Sequence, residues 1–79
     1  MAFSGKLVRL KGISQKGKNR VREHGDRWIA HRVEDRVLFE PQPGPWLLIS
    51  PEGTGQDDKA SRWVRAIGDT DFIVTVVDT

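Results

Sequence analysis

The sequence predicts a small, mostly β domain, and two observations support this. Apolar residues occur in short runs, most of which alternate with polar residues at a period near two, as in half-buried strands. Turn-forming residues separate these runs at intervals of about 8–12 residues. The pattern is typical of a small antiparallel barrel or two-sheet sandwich with about five to six short strands, of SH3-like or OB-like size, in a single domain over residues 1–79.

The first half of the chain contains three predicted strands. Residues 6–11 place Val8 and Leu10 on one face and charged side chains on the other. Residues 27–33 and 36–40 alternate in the same way, and the two acidic residues between them resemble a tight turn. We therefore expect a β-hairpin over residues 27–40.

The second half begins with three prolines in residues 41–45, which cannot continue a central strand because each proline lacks a backbone donor. Residues 46–50 form an apolar run that predicts a buried strand, and residues 54–59 predict an exposed, mobile loop. Residues 62–67 and 72–77 predict the last two strands, the latter from its β-branched residues.

Residues 14–25 leave two interpretations open. One is a short helix near residues 14–24, capped by Ser14 and ended by Gly25. Gly17 would cost that helix about 1 kcal/mol relative to alanine, and Val21 is its only aliphatic residue. We favour the other, a long basic excursion between strands that turns at residues 16–19.

Positive charge is concentrated at the start of the chain. Residues 1–22 carry seven basic side chains and no acidic one, whereas residues 28–79 carry five basic and nine acidic side chains. This asymmetry points to an anionic partner. In an extended segment, basic residues at every second position would project from one side like a comb and follow a phosphate backbone.

The leading functional prediction is a small non-enzymatic module that binds nucleic acid with little sequence specificity, because no base-reading motif is visible. Trp28 could stack on bases, although its strand-like surroundings favour a place in the core. The predicted nucleic-acid-binding residues are Lys11, Lys16, Lys18, Arg20, Arg22, Arg27 and Trp28.

Two other functional classes stay open. A protein–protein interaction module would use an exposed strand edge and a tryptophan surface, and an unpaired edge would also allow a homodimer. A minimal nuclease would use His24 as the base, oriented by Asp26 and assisted by Arg20 and Arg22.

Composition excludes several classes of site. The chain has no cysteine, so disulfides, thiolate zinc sites and cysteine nucleophiles are ruled out. The two histidines have no ligand partners at metal-site spacing, and we expect neither a metal nor a cofactor. No run approaches the length of a membrane span or of a signal-peptide core, which predicts a cytoplasmic protein without a membrane partner.

Overall fold

The structure is a computed structural model that describes residues 5–38 and 41–77. It contains five strands in one antiparallel sheet, in the order β4-β3-β2-β1-β5, and one helix. The elements in chain order are β1 (Leu7–Gly12), α1 (Gln15–His24), β2 (Arg27–Glu34), β3 (Trp46–Pro51), β4 (Arg62–Arg65) and β5 (Phe72–Val76).

The prediction of a mostly β domain is confirmed, but the predicted barrel or two-sheet sandwich is wrong. All five strands belong to a single sheet, so there is no second sheet to form a sandwich among the described residues. Within residues 5–38 and 41–77, the end strands β4 and β5 pair only with β3 and β1, respectively, so the sheet is not closed into a barrel.

The predicted hairpin over residues 27–40 is also wrong. Besides β1, β2 pairs with β3, in a register that runs from Trp28 opposite Pro51 to Glu34 opposite Trp46. Residues 35–38 are not a strand, and residues 39–40 lie outside the described residues. The physical reason is that β3 offers β2 a run of buried apolar partners. The long connection between them is closed by the Gly44 N–H, which donates to the carbonyl of Asp35 at 2.5 Å.

Residues 15–24 form helix α1, so the favoured interpretation as an extended excursion is wrong and the helical alternative is right. The Ser14 side chain caps the helix by accepting from the Gly17 N–H at 2.9 Å. Gly25 ends it at φ 86°, a conformation that favours glycine, and donates to the Val21 carbonyl at 2.7 Å.

The hydrophobic core covers one face of the sheet. Alternate residues along the strands point to this face, as the period-two pattern predicts, and Val21 of α1 packs against its margin. The buried core residues are Val8, Leu10, Trp28, Ala30, Leu47, Ile49, Val64 and Phe72. In the described part of the chain, no helix has the length and apolarity needed to cross a bilayer.

Candidate functional site

Helix α1 divides the basic side chains of residues 16–22 between two flanks. At about 100° per residue, side chains four positions apart differ by only about 40° around the axis, whereas those two apart differ by about 200°. Lys16 and Arg20 therefore share one flank, and Lys18 and Arg22 share the other. The predicted comb with all four side chains on one side is wrong, because it required an extended backbone.

A first groove lies on the Arg20 flank of α1, and we call it the β4 groove. It encloses about 140 Å³ between the helix and the segment that leads into β4. Its lining residues are Arg20, His24, Trp28, Lys59, Ala60, Ser61 and Arg62.

The β4 groove is cationic. Arg20, Lys59 and Arg62 all line it, and no carboxylate among the described residues does so. Partial burial, and then the charge of Arg20, hold the pKa of Arg62 below its ordinary value, while Asp71 and Asp69 oppose this shift. An anion in the groove would reduce the repulsion between the two guanidinium groups and replace part of the lost hydration.

Arg62 is placed in the groove by the pleat of the sheet. It lies opposite Ile49 and on the same face as Val64, which directs its side chain to the core side. There its guanidinium carbon stands 5.5 Å from the centroid of the Phe72 ring, a cation–π arrangement. This contact holds the charged group at the margin of the core, where it meets α1.

Lys59 is carried by an ordered turn. Three hydrogen bonds of Asp58 hold this turn. The backbone N–H of Asp58 donates to the Gly55 carbonyl at 3.0 Å. The Asp58 carboxylate accepts from the Ala60 N–H and the Asp58 carbonyl accepts from the Ser61 N–H, both at 2.9 Å. The Ser61 hydroxyl donates to the Gln56 carbonyl at 2.8 Å. The segment predicted as an exposed loop is therefore held by its own hydrogen bonds.

His24 forms part of the wall of the β4 groove. Its ring meets the Trp28 ring edge-on, with centroids 5.9 Å apart, and its Nε2 lies 3.8 Å from the Glu23 carboxylate. Asp26, expected to orient this histidine in the nuclease alternative, instead accepts from Arg9 at 2.7 Å. The predicted His24–Asp26 pair is therefore not formed, and His24 lacks the orienting carboxylate that the nuclease alternative required.

A second and larger groove, the β1 groove, encloses about 440 Å³ on the other side of α1. Pairing between β1 and β2 reaches only to Arg9 opposite Arg27, so the last residues of β1 extend past β2 and α1 packs beside them. The lining residues are Arg9, Leu10, Lys11, Gly12, Val21, Asp26 and Thr75.

Charge within the β1 groove is partly compensated. The Arg9 guanidinium donates to one Asp26 carboxylate oxygen through Nη2 at 2.7 Å and Nε at 3.3 Å. Chiefly through this hydrogen bond, Arg9 lowers the pKa of Asp26 below its ordinary value of 3.8. Lys11 has no ion-pair partner among the described residues.

Two predicted site residues make contacts that leave them unable to bind nucleic acid in the predicted way. Arg27 donates to both carboxylate oxygens of Glu52, at 3.0 and 3.3 Å, away from the β4 groove. The ring of Trp28 is fully buried, and its Nε1 donates to the Gly25 carbonyl at 2.9 Å. In this conformation Trp28 supports the wall of the β4 groove and exposes no face for stacking.

The predicted residues are thus only partly brought together. Arg20 and Trp28 meet in the β4 groove, Lys11 lies in the β1 groove, and Lys16, Lys18 and Arg22 are spread around α1. Sequence reasoning missed Lys59 and Arg62, which reach the groove from far along the chain. No local pattern marks them, although the alternation in β4 does place Arg62 on the face of Val64.

The described residues contain no group of three or more metal-ligating side chains placed to hold a metal ion. Comparison with known proteins finds no matching family model, curated protein or solved structure.

Proposed function

We propose that this protein is a small, non-enzymatic binding module that engages the phosphate groups of nucleic acid, with little sequence specificity. The observation that carries the proposal is the meeting of Arg20 and Arg62 in the β4 groove, which no described carboxylate lines. Guanidinium groups bind phosphate oxygens through paired hydrogen bonds, which gives both charge and geometry.

The size of the β4 groove favours a single phosphate over a whole nucleotide. Its volume of about 140 Å³ lies below the range of about 300–1,000 Å³ usual for pockets that enclose larger ligands. Contacts to the backbone of nucleic acid position a protein without reading the bases. A phosphate-binding site in the β4 groove therefore agrees with binding that tolerates many sequences.

The exposed basic residues of α1 extend the positive surface beyond the β4 groove. Lys16, on the same flank as Arg20, and Lys18 and Arg22, on the opposite flank, are all exposed. Such charges raise the association rate with a polyanion and add salt-dependent contacts to neighbouring phosphates.

The experiment is fluorescence anisotropy of labelled DNA and RNA oligomers, titrated with protein across a series of salt concentrations. The test variant is Arg20→Gln/Arg62→Gln. The control, Arg32→Gln/Arg36→Gln, makes the same change in net charge at exposed arginines that line neither groove.

We expect affinity to fall steeply with salt. The test variant should lower the slope of log affinity against log salt by about 0.7–0.9 for each phosphate that the protein no longer neutralises, and the control should lower it much less. The absence of binding at low salt, or an equal fall in affinity in the two variants, would contradict the proposal.

A protein-binding module, the second candidate, is favoured by a different observation. The edge strand β5 has no charged residue, and its exposed Ile73 lies directly opposite Lys11 of β1. Uncharged strand edges are sites where a partner strand can add. If oligomers do not bind, a concentration-dependent change in mass that Ile73→Lys abolishes would support this candidate.

A further inference from the structure

Neighbouring residues of α1 serve different grooves. Arg20 lines the β4 groove, whereas Val21 lines the β1 groove. Around the helix axis, Lys18 and Arg22 follow on the far side of Val21 from Arg20, so they lie on the flank that borders the β1 groove. The cationic β4 groove and the larger β1 groove, which is bordered by cations, are thus separated only by the helix. The helix is about 10–12 Å wide with its side chains.

The β1 groove has the properties of a site for a planar, partly apolar group. Its volume of about 440 Å³ lies within the usual range for ligand pockets. Val21 supplies partly exposed apolar surface beside the buried Leu10, and Lys11 and Thr75 supply polar groups. These features suit a nucleobase, which has apolar faces and a polar edge.

Arg9 adds a specific surface for stacking. Two hydrogen bonds to Asp26 fix the plane of its guanidinium, and unstacked bases in protein complexes stack on arginine planes as well as on aromatic rings. Because Asp26 is itself neutralised by Arg9, its carboxylate repels a nearby phosphate less than an unpaired one would.

We propose that the partner is single-stranded nucleic acid, and that the β1 groove holds one of its bases while a nearby phosphate of the same strand occupies the β4 groove. This inference rests on the proposed function, since it requires the phosphate-binding site in the β4 groove. A single strand is needed because bases in a duplex are stacked and paired, and so cannot enter a groove individually.

The first measurement compares three labelled probes of equal length by anisotropy: an oligomer of deoxythymidine, an abasic oligomer with the same number of phosphates, and a duplex. We expect the deoxythymidine oligomer to bind about tenfold or more tightly than the abasic one, from stacking of a single base. It should also bind more tightly than the duplex.

The second measurement assigns the base to the β1 groove. The chain contains no cysteine, so a Thr75→Cys variant would carry a single thiol at the wall of this groove. The matched control is Ile73→Cys, two residues away on the same exposed face of β5 but outside the groove. N-ethylmaleimide alkylates each thiol, and mass spectrometry follows the rate.

We expect the deoxythymidine oligomer to slow alkylation of the Thr75→Cys variant at least fivefold, and the abasic oligomer to slow it much less, with no comparable effect on the control. Equal affinity for the deoxythymidine and abasic oligomers would overturn the proposed base site but would not contradict the proposed phosphate-binding site in the β4 groove. Equal protection of the two variants would overturn the location, and duplex binding as tight as single-strand binding would overturn the class of partner. If no probe binds, the proposed function fails as well.

Discussion

Gly17 of α1 lies directly against the main chain of Asp71, the residue that precedes β5. A Cβ at position 17 would overlap the Asp71 carbonyl oxygen, and this oxygen also accepts from the Ile13 N–H at 2.8 Å. The missing side chain lets the helix approach β5 closely. The residue that argued against a helix from propensity is the one that allows the helix to dock.

Gly17→Ala should therefore destabilise the protein. On an exposed helix this change would stabilise by about 1 kcal/mol, but here the overlap with backbone should cost about 1–3 kcal/mol, as in overpacked cores. Urea denaturation gives the free energy of unfolding. Gly55→Ala, where a Cβ would meet nothing within 4 Å, is the control. A stabilised Gly17→Ala protein would show that α1 does not dock in this way.

The N-terminus of α1 is also held by a side-chain pair. The Ser14 hydroxyl donates to an Asp71 carboxylate oxygen at 2.6 Å and accepts from the Gly17 N–H. Ser14→Ala should lower the free energy of unfolding by about 1 kcal/mol because the helix is no longer capped. A double-mutant cycle with Asp71→Ala should give a coupling energy of about 0.5 kcal/mol or more. Additive effects would show that the two side chains act independently.

Ser50, fully buried on β3, links β2 to the turn that follows β3. Its hydroxyl donates to the Thr54 carbonyl at 3.1 Å, which leaves Oγ to accept from His31 Nε2 at 2.6 Å. His31 lies where the β2–β3 register shifts. Ser50→Ala leaves both groups without this partner and should cost about 1–3 kcal/mol in unfolding free energy. Ser61→Ala, in the 55–61 turn, should cost less, and a reversed order would refute this account.

The Arg9–Asp26 pair predicts a defined pH dependence. The pKa of Asp26 is lowered in the folded protein, so its contribution to stability is present above the ordinary value of 3.8 and is lost as pH falls through the folded-state pKa. The urea midpoints of the wild type and Asp26→Asn should differ by a constant amount above about pH 5 and converge below about pH 4.

Asp57→Asn, at another exposed carboxylate, controls for the removal of a surface charge. If the difference in urea midpoint between the wild type and Asp26→Asn grew as the pH fell, the predicted direction of the pH dependence would be contradicted.

The strands were largely predictable because their side chains alternate between the core and solvent. Val8, Trp28 and Val64 stand in period-two runs, and each is buried as the pattern requires. Pairing was less predictable, since alternation does not say which strand lies beside which. The short, charged segment after Glu34 resembled the return strand of a hairpin, but the more apolar β3 takes that position.

Of the cationic residues that line the β4 groove, the sequence predicted only the one on α1. Arg20 was identified from the local charge of residues 16–22, which the sequence shows directly. Lys59 and Arg62 lie in a part of the chain with a net negative charge, and only the packing of α1 against the sheet brings them to Arg20. Charge density along a sequence cannot reveal a groove whose walls come from distant segments.

The sequence by itself determined the β class, the face that each strand buries and the basic character of residues 1–22, because these depend on local periodicity and composition. Tertiary structure decided that residues 15–24 are helical, that the sheet stays open, and that the basic residues fall on two sides of α1. Helix propensity in residues 15–24 is weak, so the contacts of Gly17 and Ser14 with Asp71 stabilise the helix relative to an extended segment. Those contacts form only when the segment before β5 lies beside the helix.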